Sequence, residues 1–127
     1  MIASRWLLLP ITFCVLTTSI SVAGEAKDIV GKYTAKGITP EGEKYSGTAE
    51  IVHKAGNTVE ITWQIGRRKT IGLGRLVKDT LTIEYQGAIL DREGKATYEV
   101  KPKGRIVGKW HTKGRDGVGT ETLIPEK

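Results

Sequence analysis

The chain is poor in the side chains that enzymes use for covalent and acid–base work. It has one cysteine, Cys14, and two histidines, His53 and His111. Cys14 sits in an apolar N-terminal run, so the rest of the sequence has no thiolate and no disulfide. Beyond residue 23 there is a single serine, Ser46, on the polar phase of its strand, so a nucleophile–base–acid triad has no foundation. The two histidines lack the close spacing of zinc ligands, and the carboxylates are scattered over polar faces rather than paired as in a glycosidase. Gly72-Leu73-Gly74 looks like a fragment of a phosphate loop but is followed by no helix whose N-terminus could hold an anion. Sustained helical periodicity is also missing. No catalytic residue, metal or cofactor is expected, and no nucleic-acid partner.

The N-terminus explains the only long apolar run. Arg5 precedes an apolar stretch from Trp6 to about Ile20, and Ser21-Val22-Ala23 places small residues at the first and third positions. This is the pattern of a cleaved secretory signal. A run of roughly 15 residues broken by Pro10 falls short of the roughly 18 needed for a membrane span. The expectation is a signal peptide over 1–23, export to the periplasm or beyond, and one domain over 24–127 with no span after cleavage. Losing Arg5 leaves 19 cations against 14 carboxylates, a net charge of 19 − 14 = +5. That favours anionic partners without naming one.

What remains is a period-two alternation, the mark of half-buried strands. Eight stretches share it. Their apolar phases are Ile29, Gly31, Tyr33 and Ala35; Tyr45, Gly47, Ala49 and Ile51; Val59, Ile61, Trp63 and Ile65; then a fourth strand over about 70–77. Either Ile71, Leu73 and Arg75 or Gly72, Gly74 and Leu76 could point inward there, with the second phase favoured. The fifth strand carries Leu81, Ile83 and Tyr85 and runs on to about Leu90, with a bulge at Gly87 and a turn at Asp91-Arg92-Glu93-Gly94. Ala96, Tyr98 and Val100 follow, then Ile106, Gly108, Trp110 and Thr112, then Gly119, Glu121 and Leu123. The turns between them are short and rich in glycine and proline, as at Pro40-Glu41-Gly42.

A near-repeat ties the ends together. Gly31-Lys32-Tyr33 with Gly47-Thr48-Ala49 is echoed by Gly108-Lys109-Trp110 with Gly119-Thr120-Glu121. Eight strands on short turns form a meander, and closing its two edges removes exposed strand edges. The sequence therefore predicts an all-β fold, an eight-stranded antiparallel up-and-down barrel. A β-sandwich is the alternative and would need a long crossover that the spacing does not supply.

The candidate site follows from the phase. Tyr33, Tyr45, Trp63, Tyr85, Tyr98 and Trp110 all fall on the inward side, where a barrel of this size either fills itself or holds one small ligand. Glu121 joins them where the other copy of the repeat has Ala49. A buried carboxylate must find a partner or a raised pKa, and Arg75 or the tyrosine hydroxyls are the candidates. Arg67, Arg68 and Lys69 form the densest basic cluster, at a hairpin tip, where they could meet an acidic partner or serve solubility.

The ordered set Gly-x-Tyr, Pro-Glu-Gly, Tyr-Ser-Gly-Thr, Ile-Thr-Trp-x-Ile-Gly, Gly-x-Gly, Gly-Lys-Trp and Gly-Thr-Glu-Thr-Leu, from Gly31 to Leu123, resembles a family of small exported bacterial proteins often labelled fibronectin-binding. The resemblance implies export and a β fold, and names no catalytic residue. The Gly-x-aromatic opening also resembles lipocalin and avidin barrels, with Tyr33 in place of their tryptophan. Asn57 is the only asparagine, so the polar set avidins use for biotin is not visible. The functional expectation is an exported, non-enzymatic binding protein. Its partner is an extracellular-matrix protein such as fibronectin on the outside, or a small apolar or aromatic ligand inside, with a structural or inhibitory domain as a further alternative.

Overall fold

The structure is a computed structural model describing residues 25–87 and 93–127. The signal-like segment, the continuation of the fifth strand to Leu90 and the turn residues Asp91 and Arg92 lie outside the described residues. Eight strands form one closed antiparallel barrel in chain order: β1 (Gly31–Ile38), β2 (Lys44–Ala55), β3 (Thr58–Ile65), β4 (Arg68–Val77), β5 (Thr80–Gly87), β6 (Glu93–Val100), β7 (Ile106–Thr112) and β8 (Gly119–Pro125). Every strand pairs with its sequence neighbour, and β1 closes on β8 with Ala35 opposite Leu123 and Gly37 opposite Glu121. The two hairpins of the near-repeat are thus adjacent in space, and no edge is left to template another chain.

Alternation fixes which side chains enter the lumen, because a one-residue slip would turn every apolar group to solvent. β3 shows this directly: Val59, Ile61 and Trp63 are buried. β4 takes the glycine phase. Gly72, Gly74 and Leu76 face inward while Ile71, Leu73 and Arg75 are exposed, so Arg75 is no partner for Glu121. The reason is room: a side chain at Gly72 would run into Ile83, and one at Gly74 into Ile83 and Leu81.

Three boundaries differ from the sequence expectation. Ile29 is buried but belongs to a short 3-10 turn, Ala26–Ile29, that precedes β1 and packs against β2. Glu93 and Gly94 belong to β6 rather than to a turn, and Arg68 already begins β4. The register irregularity lies between His53 and Ala55, where β2 slips against β3.

The core sits at one end of the barrel. Ile51, Val59, Ile61, Leu81, Ile83, Ile106 and Leu123 are fully buried there, and Ala26 and Ile29 of the 3-10 turn join the same cluster. Tyr33 is part of this cluster, its hydroxyl donating to the Ile29 carbonyl at 2.6 Å. Burial pushes its pKa up. Among the described residues no helix is long and apolar enough to cross a membrane.

Candidate functional site

The opposite end of the barrel is hollow. A cavity of about 650 Å³ opens between the β1–β2 turn, the β3–β4 turn and the β7–β8 loop. Five of the six inward aromatics line it: Tyr45, Trp63, Tyr85, Tyr98 and Trp110. Tyr33 does not, because it points into the filled end. The lumen is therefore divided by height, with aliphatic packing below and aromatic walls above.

Each wall aromatic lies beside a glycine on a neighbouring strand. Tyr45 is directly opposite Gly37, Tyr85 opposite both Gly72 and Gly94, Tyr98 opposite Gly108 and Trp110 opposite Gly119. A methyl group added at Gly37 would overlap the Tyr45 ring, one at Gly94 the Tyr85 ring, and one at Gly119 the Trp110 indole. Trp63 reaches diagonally over Gly72, its ring 3.2 Å from where a Cβ would stand. The glycines thus give the rings a place against the barrel wall, a recognised way of covering strand glycines with aromatics. Sequence reasoning placed Gly72, Gly108 and Gly119 on the phase of the aromatics, but it put Gly94 in a turn, left Gly37 unassigned and did not find the pairing. Counting outward from each hairpin turn would have found it, since Tyr45, Tyr85 and Trp110 each face their glycine across a turn.

Glu121 forms the polar floor of the cavity. It is 4% exposed, and its Oε1 accepts hydrogen bonds from Trp63 Nε1 and the Tyr98 hydroxyl, each at 2.8 Å. Its Oε2 accepts one from the Tyr45 hydroxyl at 2.7 Å. The tyrosine hydroxyls, joined by an indole, are thus its partners. Desolvation raises the carboxyl pKa, and the three donors only partly oppose it. The same burial, reinforced by the negative charge of Glu121, raises the Tyr45 and Tyr98 phenols, so neither is a phenolate near neutrality.

The other two rings are anchored differently. The Tyr85 hydroxyl donates to the His111 carbonyl at 2.9 Å, and its ring meets Trp63 edge-on at 6.0 Å. Trp110 meets Tyr45 edge-on at 6.3 Å. Its N–H is near enough to the Tyr45 hydroxyl to oppose part of the rise in that phenol's pKa, but Nε1 is buried and completes no hydrogen bond among the described residues. It stands as a buried donor without an acceptor among the described residues.

The rim is charged. Arg67 at the β3–β4 turn, Arg68 at the start of β4 and Arg115 in the β7–β8 loop line the mouth, with Glu41 and Asp116 among them. Lys69, the third member of the basic cluster, is exposed and does not line the cavity. Arg68 continues the inward phase of β4 through Thr70 to Gly72, which is why it reaches the mouth. No group of three or more histidines, cysteines or carboxylates able to hold a metal occurs among the described residues.

No family model matches the chain, and no curated protein matches its sequence. Solved structures do share its fold. One is a redesigned β-barrel matched over 84% of this chain and 99% of its own, at 15% identity and a TM-score of 0.74. A second, the redesigned barrel mFAP1 bound to DFHBI, matches over 78% and 96% at 18% identity and a TM-score of 0.68. A third is a de novo designed fluorescence-activating β-barrel, matched over 80% and 96% at 14% identity and a TM-score of 0.66. At these identities the likeness is one of architecture: this chain is a closed eight-stranded up-and-down β-barrel.

Proposed function

We propose that the protein is an exported, non-enzymatic binding protein that takes a small, largely apolar molecule with an aromatic or other planar body into the open end of its barrel. The observation that carries this reading is the aromatic-walled cavity of about 650 Å³, within the usual range for ligand pockets of roughly 300–1,000 Å³. Its walls are rings seated over glycines, so the space is built into the sheet. A core selected only for stability would fill it, since interiors pack without voids of this size. The redesigned barrel mFAP1, of the same fold, is bound to DFHBI, which supports uptake of a ligand by a barrel of these proportions. An interior ligand is favoured over a matrix protein outside because two of the three residues in the basic cluster, Arg67 and Arg68, belong to the cavity mouth.

The neutral probe N-phenyl-1-naphthylamine tests the reading, because its emission rises on entering an apolar site. Saturable enhancement at one site per chain is expected, weakened about tenfold by Thr70→Trp, which places an indole in the mouth. Enhancement that is absent, or unchanged in a Thr70→Trp variant with native circular dichroism, counts against an interior site.

A further inference from the structure

Resting on the interior-binding reading, we propose that the natural ligand is an amphipathic anion, with a planar apolar body between the aromatic walls and a carboxylate-type oxyanion head held at the mouth by Arg67, Arg68 and Arg115. Arg67 stands on the β3–β4 turn, Arg68 at the start of β4 beside it, and Arg115 on the β7–β8 loop. In an eight-stranded meander these connections lie on opposite sides of the opening, so the guanidiniums flank it.

The choice of cation carries information. The chain has 13 lysines and 7 arginines, yet among the described residues every cation lining the cavity is an arginine. Lysines serve the outside instead: the ion pairs found among the described residues are Lys54–Glu60, Lys95–Glu84, Lys101–Glu99 and Lys113–Glu93. None of the three mouth arginines has an ion-pair partner among the described residues, although Asp116 is the chain neighbour of Arg115. Guanidinium is less strongly hydrated than ammonium and presents a planar fork that matches an oxyanion. Against these three cations the described rim sets two carboxylates, Glu41 and Asp116, so the described residues of the rim carry a net 3 − 2 = +1.

A cationic ligand fits the site less well. The one carboxylate at the floor, Glu121, is almost closed to solvent and already accepts three hydrogen bonds from the protein. A cation would have to pass three guanidiniums to reach it. An anion meets attraction at the entrance and apolar rings beyond it, and its head stays at the mouth, away from Glu121.

A matched pair of probes separates the two halves of the claim. 8-Anilino-1-naphthalenesulfonate carries the same two ring systems as N-phenyl-1-naphthylamine plus one sulfonate. The ratio of their affinities reads the contribution of the anion alone. The anionic probe is expected to bind about tenfold more tightly, as one charge-assisted contact would give. The triple variant Arg67→Gln, Arg68→Gln, Arg115→Gln should bring the ratio close to one, and Lys69→Gln, next to Arg68 on β4 but outside the cavity, should leave it as it was. A ratio near one in the native protein overturns the anion proposal while the interior site stands. So does a Lys69→Gln variant that lowers the ratio as much as a single arginine change, because the preference would then be one of overall charge. If Thr70→Trp affects neither probe, the interior site itself falls.

Discussion

The two ends of this barrel are built from the same eight strands and the same inward phase, yet one is full and the other hollow. β3 gives Ile61 to the filled end and Trp63 and Ile65 to the open one; β5 gives Ile83 and then Tyr85; β8 gives Leu123 and then Glu121. The difference is the shape of the side chains that each end turns inward. In the filled end branched aliphatic side chains pack beside one another and over glycines alike: Ile51 faces Ile61 and Gly31, Ile83 faces Gly74, and Leu123 faces Ile106. In the open end Tyr45, Tyr85, Tyr98 and Trp110 face glycines. Rings seated over glycine backbone stay at the wall and leave the axis clear. Glycine neighbours occur at both ends, so what separates them is the side chain set over the glycine: a flat ring kept at the wall lines the lumen, and branched aliphatics fill it.

The largest test of that contrast lies within β3. Ile61 is fully buried, whereas Ile65, four residues on and on the same face, is half-buried at the cavity. Ile61→Ala should cost about 2–5 kcal/mol of unfolding free energy, since it removes contacts and leaves a void in a packed core. Ile65→Ala should cost roughly 1 kcal/mol or less, because its neighbours already border open space. Urea denaturation of both variants measures the difference, and similar losses would mean that the two ends are equally packed.

A smaller effect should follow from crowding a wall glycine. A Cβ at Gly119 would overlap the Trp110 indole, so Gly119→Ala must push that ring into the cavity. A loss of about 1–3 kcal/mol is expected, together with weaker N-phenyl-1-naphthylamine binding and a changed tryptophan emission. Unchanged probe affinity at native emission would show that the ring does not depend on the glycine for its place.

How much of this could be read from the residues differed between the two ends. Closure was legible because alternation, short turns and the near-repeat all point to paired terminal strands. The direction of Glu121 was legible too, from its place on the phase of Gly119 and Leu123. Alternation is blind to height along the barrel, however. Tyr33 and Tyr45 share the inward phase, but only their distance from the strand ends decides that one plugs the base while the other lines the cavity. The mouth was equally hidden. Arg115 has no periodic context in its loop, and Arg67 and Arg68 read as a solvated hairpin tip until closure brings that tip to the rim of the cavity.

The smallest effect, and the most diagnostic of the boundary between the two ends, concerns the charge of Glu121. Its carboxyl pKa is raised in the folded protein, chiefly by desolvation. A folded-state pKa above the unfolded one means that the group contributes its full stability below the ordinary carboxylate range. That contribution is lost as pH rises through the folded value. Glu121→Gln removes the titration while keeping an oxygen for Trp63 and Tyr98, and the Tyr45 hydroxyl can rotate to accept from the new amide. Whatever the difference in melting temperature between the two proteins at pH 4, it should shift steadily in favour of Gln as pH rises toward 8, because only the native protein must then hold a buried carboxylate. A gap that stays flat with pH would mean that three donors fully offset desolvation. A gap that moves in favour of Glu would mean that they outweigh it, and the floor of the cavity would then be a site preorganised for negative charge.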